Sequence, residues 1–564
     1  MMGSTSLRSL ATIRTIRIPL LSPPLPVYAP RSSKNRMLRW VVVTIAVVTI
    51  GARGDIFSST AHLQNLLHLE RHLVTTLHDY VDKTEDKLNQ VKRYLNLFYD
   101  SYQEVLEQKL PAPADGDEMV ANPLQAFQLV RRLSVDWGFI KSAMNTDDWR
   151  PIRKLVSDYR QLMPSKDDLQ GAALALVRLQ DTYRLNMTDV ARGEVLGIPQ
   201  GTSLSARDLL FLGKQSFTAG YYAHAISWLE EAIKKAHLEG NRTASVAEVM
   251  AFYASAVDMH DRLFERTDLD LKDYDTFGHP LKSNRSSAVL LGRRNVFRLG
   301  NDITPMEEQE NYMALCRGER LVSVAQESKL VCRLDNKGHP YLLLRPLRIE
   351  ERSLDPYVVM YHDLLTEAQT ELLKQIAEPK LARSMVQAGK GSEVVSVSRT
   401  SQNAWIGPHD HPFMAKVYRL VEFVTGLSTD VDKEHAEIVQ VANYGMGGHY
   451  TPHHDYLLVD KDPEEMKYVH PKEIEAGDRT ATLMFYLTDV TRGGATVFPR
   501  VGAGVWPRRG SAVFWYNLKQ NGKENPLTLH GACPVAIGSK WVANFWIREK
   551  GQLFRRRCAL DPEL

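Results

Sequence analysis

The sequence predicts a multidomain α+β protein: an all-α N-terminal part, built of a coiled-coil helix and tetratricopeptide-like helices, then a C-terminal double-stranded β-helix of the jelly-roll kind. Three observations carry this. From His62 to Gln108 apolar residues recur every seven positions with no Pro or Gly. From about Trp149 to Leu263 an amphipathic helical pattern returns. Beyond about Tyr341 the apolar residues gather into short runs separated by Gly, Pro and Asp. At 564 residues the chain exceeds what one hydrophobic core organises, so several domains are expected.

The first 54 residues carry eight Arg or Lys and no acid, so the +3 balance of the whole chain becomes 3 − 8 = −5 without them. A mildly acidic body gives no support for nucleic-acid binding, which calls for a concentrated basic face. The apolar run Trp40–Ala52 follows Lys34, Arg36 and Arg39 and ends at Ala52-Arg53-Gly54, the grammar of a signal peptide. It is shorter than the roughly 20 residues that span a bilayer, and no later segment reads as transmembrane. The Arg-rich stretch before Met37 also suits a mitochondrial transit peptide, or an upstream start codon.

In the first helical stretch Leu67, Val74, Val81, Leu88 and Leu95 form one heptad position, and Leu63, Leu77, Val91 and Phe98 the other. Glu70 and Thr84 interrupt the second, so a dimer seam competes with a helical-bundle core. Pro111 and Pro113 end the helix. Further on, Leu209 to Ala232 reads as two short amphipathic helices around Gly220, resembling one tetratricopeptide unit. Its aromatics, Tyr221 and Tyr222 with Phe252 and Tyr253, suit either a groove for an extended proline-rich peptide or ordinary core. From Glu265 to Ile303 the pattern dissolves into charged and polar residues, which reads as a linker. The runs Ile438–Tyr444, Ala481–Leu487, Val513–Tyr516 and Trp541–Ile547 are then expected as strands.

Four cysteines, Cys316, Cys332, Cys533 and Cys558, form no C-x-x-C motif. An even number suits disulfides in an oxidising compartment better than one zinc ion held by scattered thiols. Sequons at Asn186, Asn241 and Asn284 fit glycosylation of a lumenal protein.

The chemistry is concentrated near Tyr444-Gly-Met-Gly-Gly-His-Tyr450-Thr-Pro-His453-His-Asp455. His453 and Asp455 are two apart, so on a strand both point to one face. His530, just before another expected strand, is the best-placed third ligand. Two imidazoles and one carboxylate on one side of Fe(II) leave positions open for an oxo acid and O₂. Lys540 offers a cation for the far carboxylate of that acid. His454 and His449 are read as non-ligands, one facing away by strand alternation and one on a turn.

The same residues resemble the catalytic α subunit of animal collagen prolyl 4-hydroxylase. The family's Y-x-x-G-G-x-Y-x-P-H-x-D stands at Tyr444–Asp455, its G-G-A-T-V-F-P at Gly493–Pro499 and its A-V-F-W-Y-N at Ala512–Asn517. Its H-x-A-C-P-V and G-x-K-W stand at His530–Val535 and Gly538–Trp541. The resemblance implies iron on His453, Asp455 and His530, 2-oxoglutarate on Lys540 and Tyr444, and Tyr450 near the substrate proline. It implies disulfides Cys316 to Cys332 and Cys533 to Cys558, ascorbate as reductant, and an α₂β₂ assembly with protein disulfide isomerase in the endoplasmic reticulum lumen. That partner would explain retention, because Asp561-Pro-Glu-Leu564 is no retrieval signal.

On this reading the boundaries are a leader over 1–54, a helical dimerisation domain over 55–148 and a peptide-substrate-binding domain over 149–264. A linker with the first disulfide follows over 265–340, and the oxygenase domain over 341–564. The expected activity is hydroxylation of proline in collagen-like X-Pro-Gly sequences. One departure stands out: Arg266 to Gly300 lacks the family's further helix pair, which leaves open a paralogue acting on another protein. A non-catalytic peptide-binding scaffold is the rival from a different class.

Overall fold

The computed structural model describes residues 59–81, 91–99, 121–143, 150–160, 163–265, 298–384, 386–388, 392–394, 399–458, 466–467 and 469–559. The expected leader, Thr84, Leu88, Asn284, most of the departure over 266–300 and the C-terminal Asp561-Pro-Glu-Leu564 lie outside them. Among the described residues no helix is long and apolar enough to cross a membrane.

The first helix, Thr60–Val81 (α1), buries the seam residues Leu63, Leu67, Val74 and Leu77. It also buries Leu66, Leu69 and Leu73, so its apolar face is wider than a two-strand seam needs. All of these, with Val91, Tyr94, Leu95 and Phe98 from the next helical stretch, sit in one core of this chain. The described seam residues pack within this chain's own helical core, and one of the two interruptions is accounted for by Glu70. It is fully buried and takes two hydrogen bonds from Arg132, Nε at 2.6 Å and Nη2 at 3.1 Å. Arg132 follows Pro123–Arg131 (α2), a helix started by Asn122, whose side chain accepts from Leu124 N.

Lys166–Tyr183 (α3) and Ala206–Thr218 (α4) each begin with a reciprocal Ser/Asp capping box, Ser165/Asp168 and Ser205/Asp208. Gly220, in the left-handed region at φ 86°, then turns the chain into Tyr222–Leu238 (α5), and Val246–Glu265 (α6) follows. This is the expected helix-turn-helix with its turn at the expected glycine.

The expected linker differs. Pro305–Cys316 (α7) lies within it, with Tyr312, Ala314, Leu315 and Cys316 buried in the helical core. Thr304, Pro305 and Glu307 form a capping box with Pro at the first position, a start signal present in the sequence. The charged run Glu307-Glu308-Gln309-Glu310 obscured the apolar face.

Beyond this the chain is strand-rich. Cys332–Asp335 (β1), Leu347–Ser353 (β2) and Val358–His362 (β3) precede helix Glu367–Ala377 (α8). Ala382–Arg383 (β4) and Gln402–Ile406 (β5) precede helix Pro412–Thr425 (α9). Then come Val439–Tyr444 (β6), Tyr450–His453 (β7), Arg479–Tyr486 (β8) and Arg492–Gly493 (β9). The remainder are Thr496–Phe498 (β10), Ala503–Val505 (β11), Ala512–Tyr516 (β12), His530–Ala532 (β13), Val535–Ile537 (β14) and Lys540–Arg548 (β15).

A nine-stranded sheet has the order β1-β2-β3-β12-β8-β15-β6-β5-β4, and a smaller one the order β7-β13-β10-β11. Central strands of the large sheet are buried on both faces, which is why they read as continuous apolar runs rather than alternating ones. Leu483, Phe485, Phe514 and Phe545 face Leu373 of α8 and Val417 and Val421 of α9. Met484, Tyr486, Trp515 and Val542 face Phe498 and Val505 of the small sheet. Each such fully buried large side chain contributes roughly 1.5–3 kcal/mol.

The implied disulfide pairing is corrected. Cys316 is bonded to Cys533, 217 residues away, while Cys332 and Cys558 are exposed free thiols. The cause is packing: α7 lies against the β13–β14 corner, where Tyr312 Oη donates to Ala532 O at 2.9 Å. That places the end of the helix beside Cys533, whereas Cys332 begins an edge strand.

Candidate metal centre

Strands β7 and β13 are antiparallel neighbours, with His453 directly opposite His530. Opposed residues on such strands project to the same face, so the two imidazoles lie side by side, ring centres 4.5 Å apart. Asp455 falls just past the end of β7 rather than on it, yet its carboxylate turns into the same space. Its Oδ1 is 3.8 Å from His453 Nε2 and its Oδ2 3.8 Å from His530 Nε2. One ligand atom from each residue lies within 4.8 Å of the others, and His454 and His449 are not part of the group. His454 stacks instead on Tyr456.

Each donor is aimed by a neighbour. His453 Nδ1 donates to Thr451 O at 2.8 Å and His530 Nδ1 to Thr528 O at 3.0 Å, which leaves both Nε2 atoms facing the centre. Thr482 Oγ1 donates to Asp455 Oδ2 at 2.7 Å, Asn517 Nδ2 donates to Thr482 Oγ1, and Trp515 Nε1 donates to Asn517 Oδ1. Burial and the neighbouring His530 push the His453 imidazole down to about 3, against the pull of Asp455. Burial pushes the Asp455 carboxyl up, but His530, His453, Arg479 and the Thr482 hydroxyl outweigh it and hold it below the usual range. A neutral His453 and a charged Asp455 are the ligand-competent forms. This donor set fits Fe(II), for which two imidazoles and one carboxylate leave open positions.

Lys540 starts β15 directly opposite Tyr444 on β6. Along β15 the alternate residues Lys540, Val542, Asn544 and Trp546 line the cavity that holds the three ligands. Lys540 is 1% exposed, donates to Thr496 Oγ1 at 3.3 Å and lies 5.5 Å from the Tyr444 ring centre. Burial pushes its amine down to about 7, with no carboxylate acting on it among the described residues. A buried cation without a counter-ion is costly unless a ligand supplies one.

Tyr450 stacks on the His453 ring, 3.5 Å between centres, and the Arg399 guanidinium lies 4.8 Å from its ring centre. Sequence reasoning assigned no role to Arg399, Thr482, Thr496 or Asn517. Thr496 falls in the G-G-A-T-V-F-P stretch and Asn517 in the A-V-F-W-Y-N stretch, the signal that could have marked them.

The three tyrosines expected to bind peptide are each engaged separately. Tyr221 packs on Val177 of α3, Tyr222 on Phe217 of α4, and Tyr253 Oη donates to Glu230 at 3.3 Å. None of them lines a cavity of about 1100 Å³ in the helical region, whose walls mix cations such as Arg93 and Lys214 with Asp136, Asp208 and Glu239 and with apolar side chains such as Phe211. Asn186 and Asn241 are exposed; both side chains accept backbone hydrogen bonds, Asn186 from Thr188 N and Asn241 from Val246 N.

Residues 59–197 match the model of the prolyl 4-hydroxylase alpha-subunit N-terminal region, and residues 439–548 that of the 2OG-Fe(II) oxygenase superfamily. The chain is 34% identical over 541 residues to prolyl 4-hydroxylase subunit alpha-2 of Gallus gallus, covering 92% of this chain and 98% of that one. To subunit alpha-1 of Homo sapiens it is 32% identical over 547 residues, covering 93% and 99%. Among solved structures, the viral collagen prolyl hydroxylase of Paramecium bursaria Chlorella virus-1 in its 2OG complex is 27% identical. It covers 34% of this chain and 95% of that one, with a TM-score of 0.26.

Proposed function

This chain belongs to the prolyl 4-hydroxylase α-subunit family, and we propose that it is the catalytic subunit of a procollagen-proline 4-dioxygenase. The observation that carries the reading is the joint placement of His453, Asp455 and His530 with a buried, unbalanced Lys540 in one cavity. Fe(II), when bound, supplies the redox chemistry by which O₂ and 2-oxoglutarate give succinate, CO₂ and a hydroxyl on C4 of proline. The residues of the chain bind, aim and exclude water. His453, Asp455 and His530 would hold the ion. Lys540 and Tyr444 would hold 2-oxoglutarate, the Lys540 ammonium meeting its distal carboxylate. The ring of Tyr450 would form the wall against which the prolyl ring lies. The two packed sheets, of the double-stranded β-helix type in this reading, keep the cavity dry.

The same proposal includes ascorbate as reductant, protein disulfide isomerase as partner and residence in the endoplasmic reticulum lumen, with glycans on Asn186 and Asn241. A second reading, a relative acting on a different proline-containing protein, has one observation in its favour: the lining of the helical-region cavity, which mixes cationic, acidic and apolar side chains, does not include the three expected tyrosines. The test is His530→Ala, with succinate and hydroxyproline measured from a (Pro-Pro-Gly)ₙ peptide. Loss of both products supports the reading, and undiminished turnover removes it. A panel of other proline-containing peptides separates the two substrates.

A further inference from the structure

The helical half of the chain touches the segment that leads into the metal ligands. Gly445, Met446, Gly447 and Gly448 form a turn six residues or so before His453, and that turn is gripped from two sides. On the sheet side Gly447 N donates to Val535 O at 2.9 Å and Val535 N to Gly448 O at 3.0 Å. On the helical side Arg178, from α3, donates through Nη1 to Gly447 O at 2.6 Å. Gly447 has φ +60°, and a Cβ there would stand 2.8 Å from the Cβ of Ala175, so α3 lies directly on its backbone. Beyond the turn, Thr400 N donates to His449 O at 3.0 Å, and Arg399 bridges Tyr450. From Gly448 to Tyr450 the backbone is therefore continuously held, and any shift of the turn passes to Tyr450 and His453.

We propose that Arg178 is a positioning residue for the metal site, fixing the Gly445–Gly448 turn and through it Tyr450 and His453. It lies in the helical region, on α3, and not on the strands that carry the expected ligands. Only 6% exposed, its guanidinium is desolvated at considerable cost, which an aliphatic side chain of similar length would avoid if filling space were its whole task. The same helix ends at Tyr183, whose hydroxyl donates to Pro534 O, and α7 holds Ala532 through Tyr312. Both carbonyls lie within four residues of His530. The helical region thus braces both ligand-bearing segments, and Arg178 serves the one that carries two ligands.

The inference rests on the proposed metal site, so its test reads metal binding without turnover. In the full chain Mn²⁺ is titrated into wild type, Arg178→Met and Arg178→Lys, and the ratio of hydroxyproline to succinate is measured separately. The expected result is roughly tenfold weaker Mn²⁺ binding and a lower product ratio for Arg178→Met, the size typical of losing an outer support. Arg178→Lys, which keeps a donor, recovers part of both. Gly447→Ala, whose added Cβ would meet the Cβ, carbonyl O and Cα of Ala175 at 2.8, 2.9 and 3.1 Å, should weaken Mn²⁺ binding similarly. That variant decides the matter if Arg178→Met does not fold. Unchanged Mn²⁺ affinity in folded Arg178→Met, or in Gly447→Ala where Arg178→Met does not fold, overturns the proposal. Wild type that binds no Mn²⁺ instead overturns the metal-site reading itself.

Discussion

Two buried charges, one in each half of the molecule, behave in opposite ways. In the helical core Glu70 meets Arg132 in two hydrogen bonds and also receives the Tyr94 hydroxyl at 3.3 Å. In the strand-rich half Lys540 is as deeply buried, but among the described residues no carboxylate acts on it: its ammonium donates to the Thr496 hydroxyl and lies near the rings of Tyr444 and Tyr486. A closed pair is what a core needs, because each charge cancels the desolvation of the other. An open one is tolerated where a ligand completes it. Burial of a charge alone therefore does not mark a site; burial without its complement does.

The largest effect that tests this contrast is expected at the closed pair. Glu70→Ala leaves Arg132 buried without its carboxylate and should destabilise the protein by about 3–5 kcal/mol in denaturant unfolding. The folded fraction should keep its 2-oxoglutarate KM. Lys540→Met should do the reverse. Losing one charge-assisted contact of about 2 kcal/mol raises that KM roughly thirtyfold. At the same time the thermal midpoint of the protein without cosubstrate should rise, since an uncompensated charge has gone.

Smaller effects sharpen the same point. Thr482→Val removes the hydroxyl that aims Asp455 and should weaken metal binding about tenfold, measured by Mn²⁺ titration. The pH dependence has a definite sign. Burial takes the Lys540 amine from 10.5 down to about 7, so between those values the unfolded chain holds a proton that the folded chain has released. Stability without cosubstrate should then rise with pH across that window. Affinity for 2-oxoglutarate should fall over the same range, because the carboxylate needs the ammonium form. Binding at a series of pH values checks this.

What the sequence disclosed follows the range over which each feature is determined. The strands at Val439–Tyr444, Arg479–Tyr486, Ala512–Tyr516 and Lys540–Arg548 stand within two residues of their expected runs, because burial on both faces writes a continuous apolar stretch. His453 and Asp455 were legible from their spacing of two, although Asp455 lies just past the strand, and His530 and Lys540 from their place beside expected strands and from the family resemblance. Thr482 and Asn517 were not, since their alignment depends on pairing between β8 and β12. Glu70 looked like a flaw in a heptad because its partner is 62 residues away. The disulfide pairing that the resemblance implied differs for the same reason: Cys316 and Cys533, 217 residues apart, are brought together by the docking of α7 on the β13–β14 corner.

The account is tested most directly by anaerobic titration of 2-oxoglutarate into the iron-loaded full chain, alongside metal-free protein and the Lys540→Met variant. One equivalent should bind tightly only when iron is present, and the variant should bind it roughly thirtyfold more weakly. Equal binding in all three samples would contradict the assignment of this cavity.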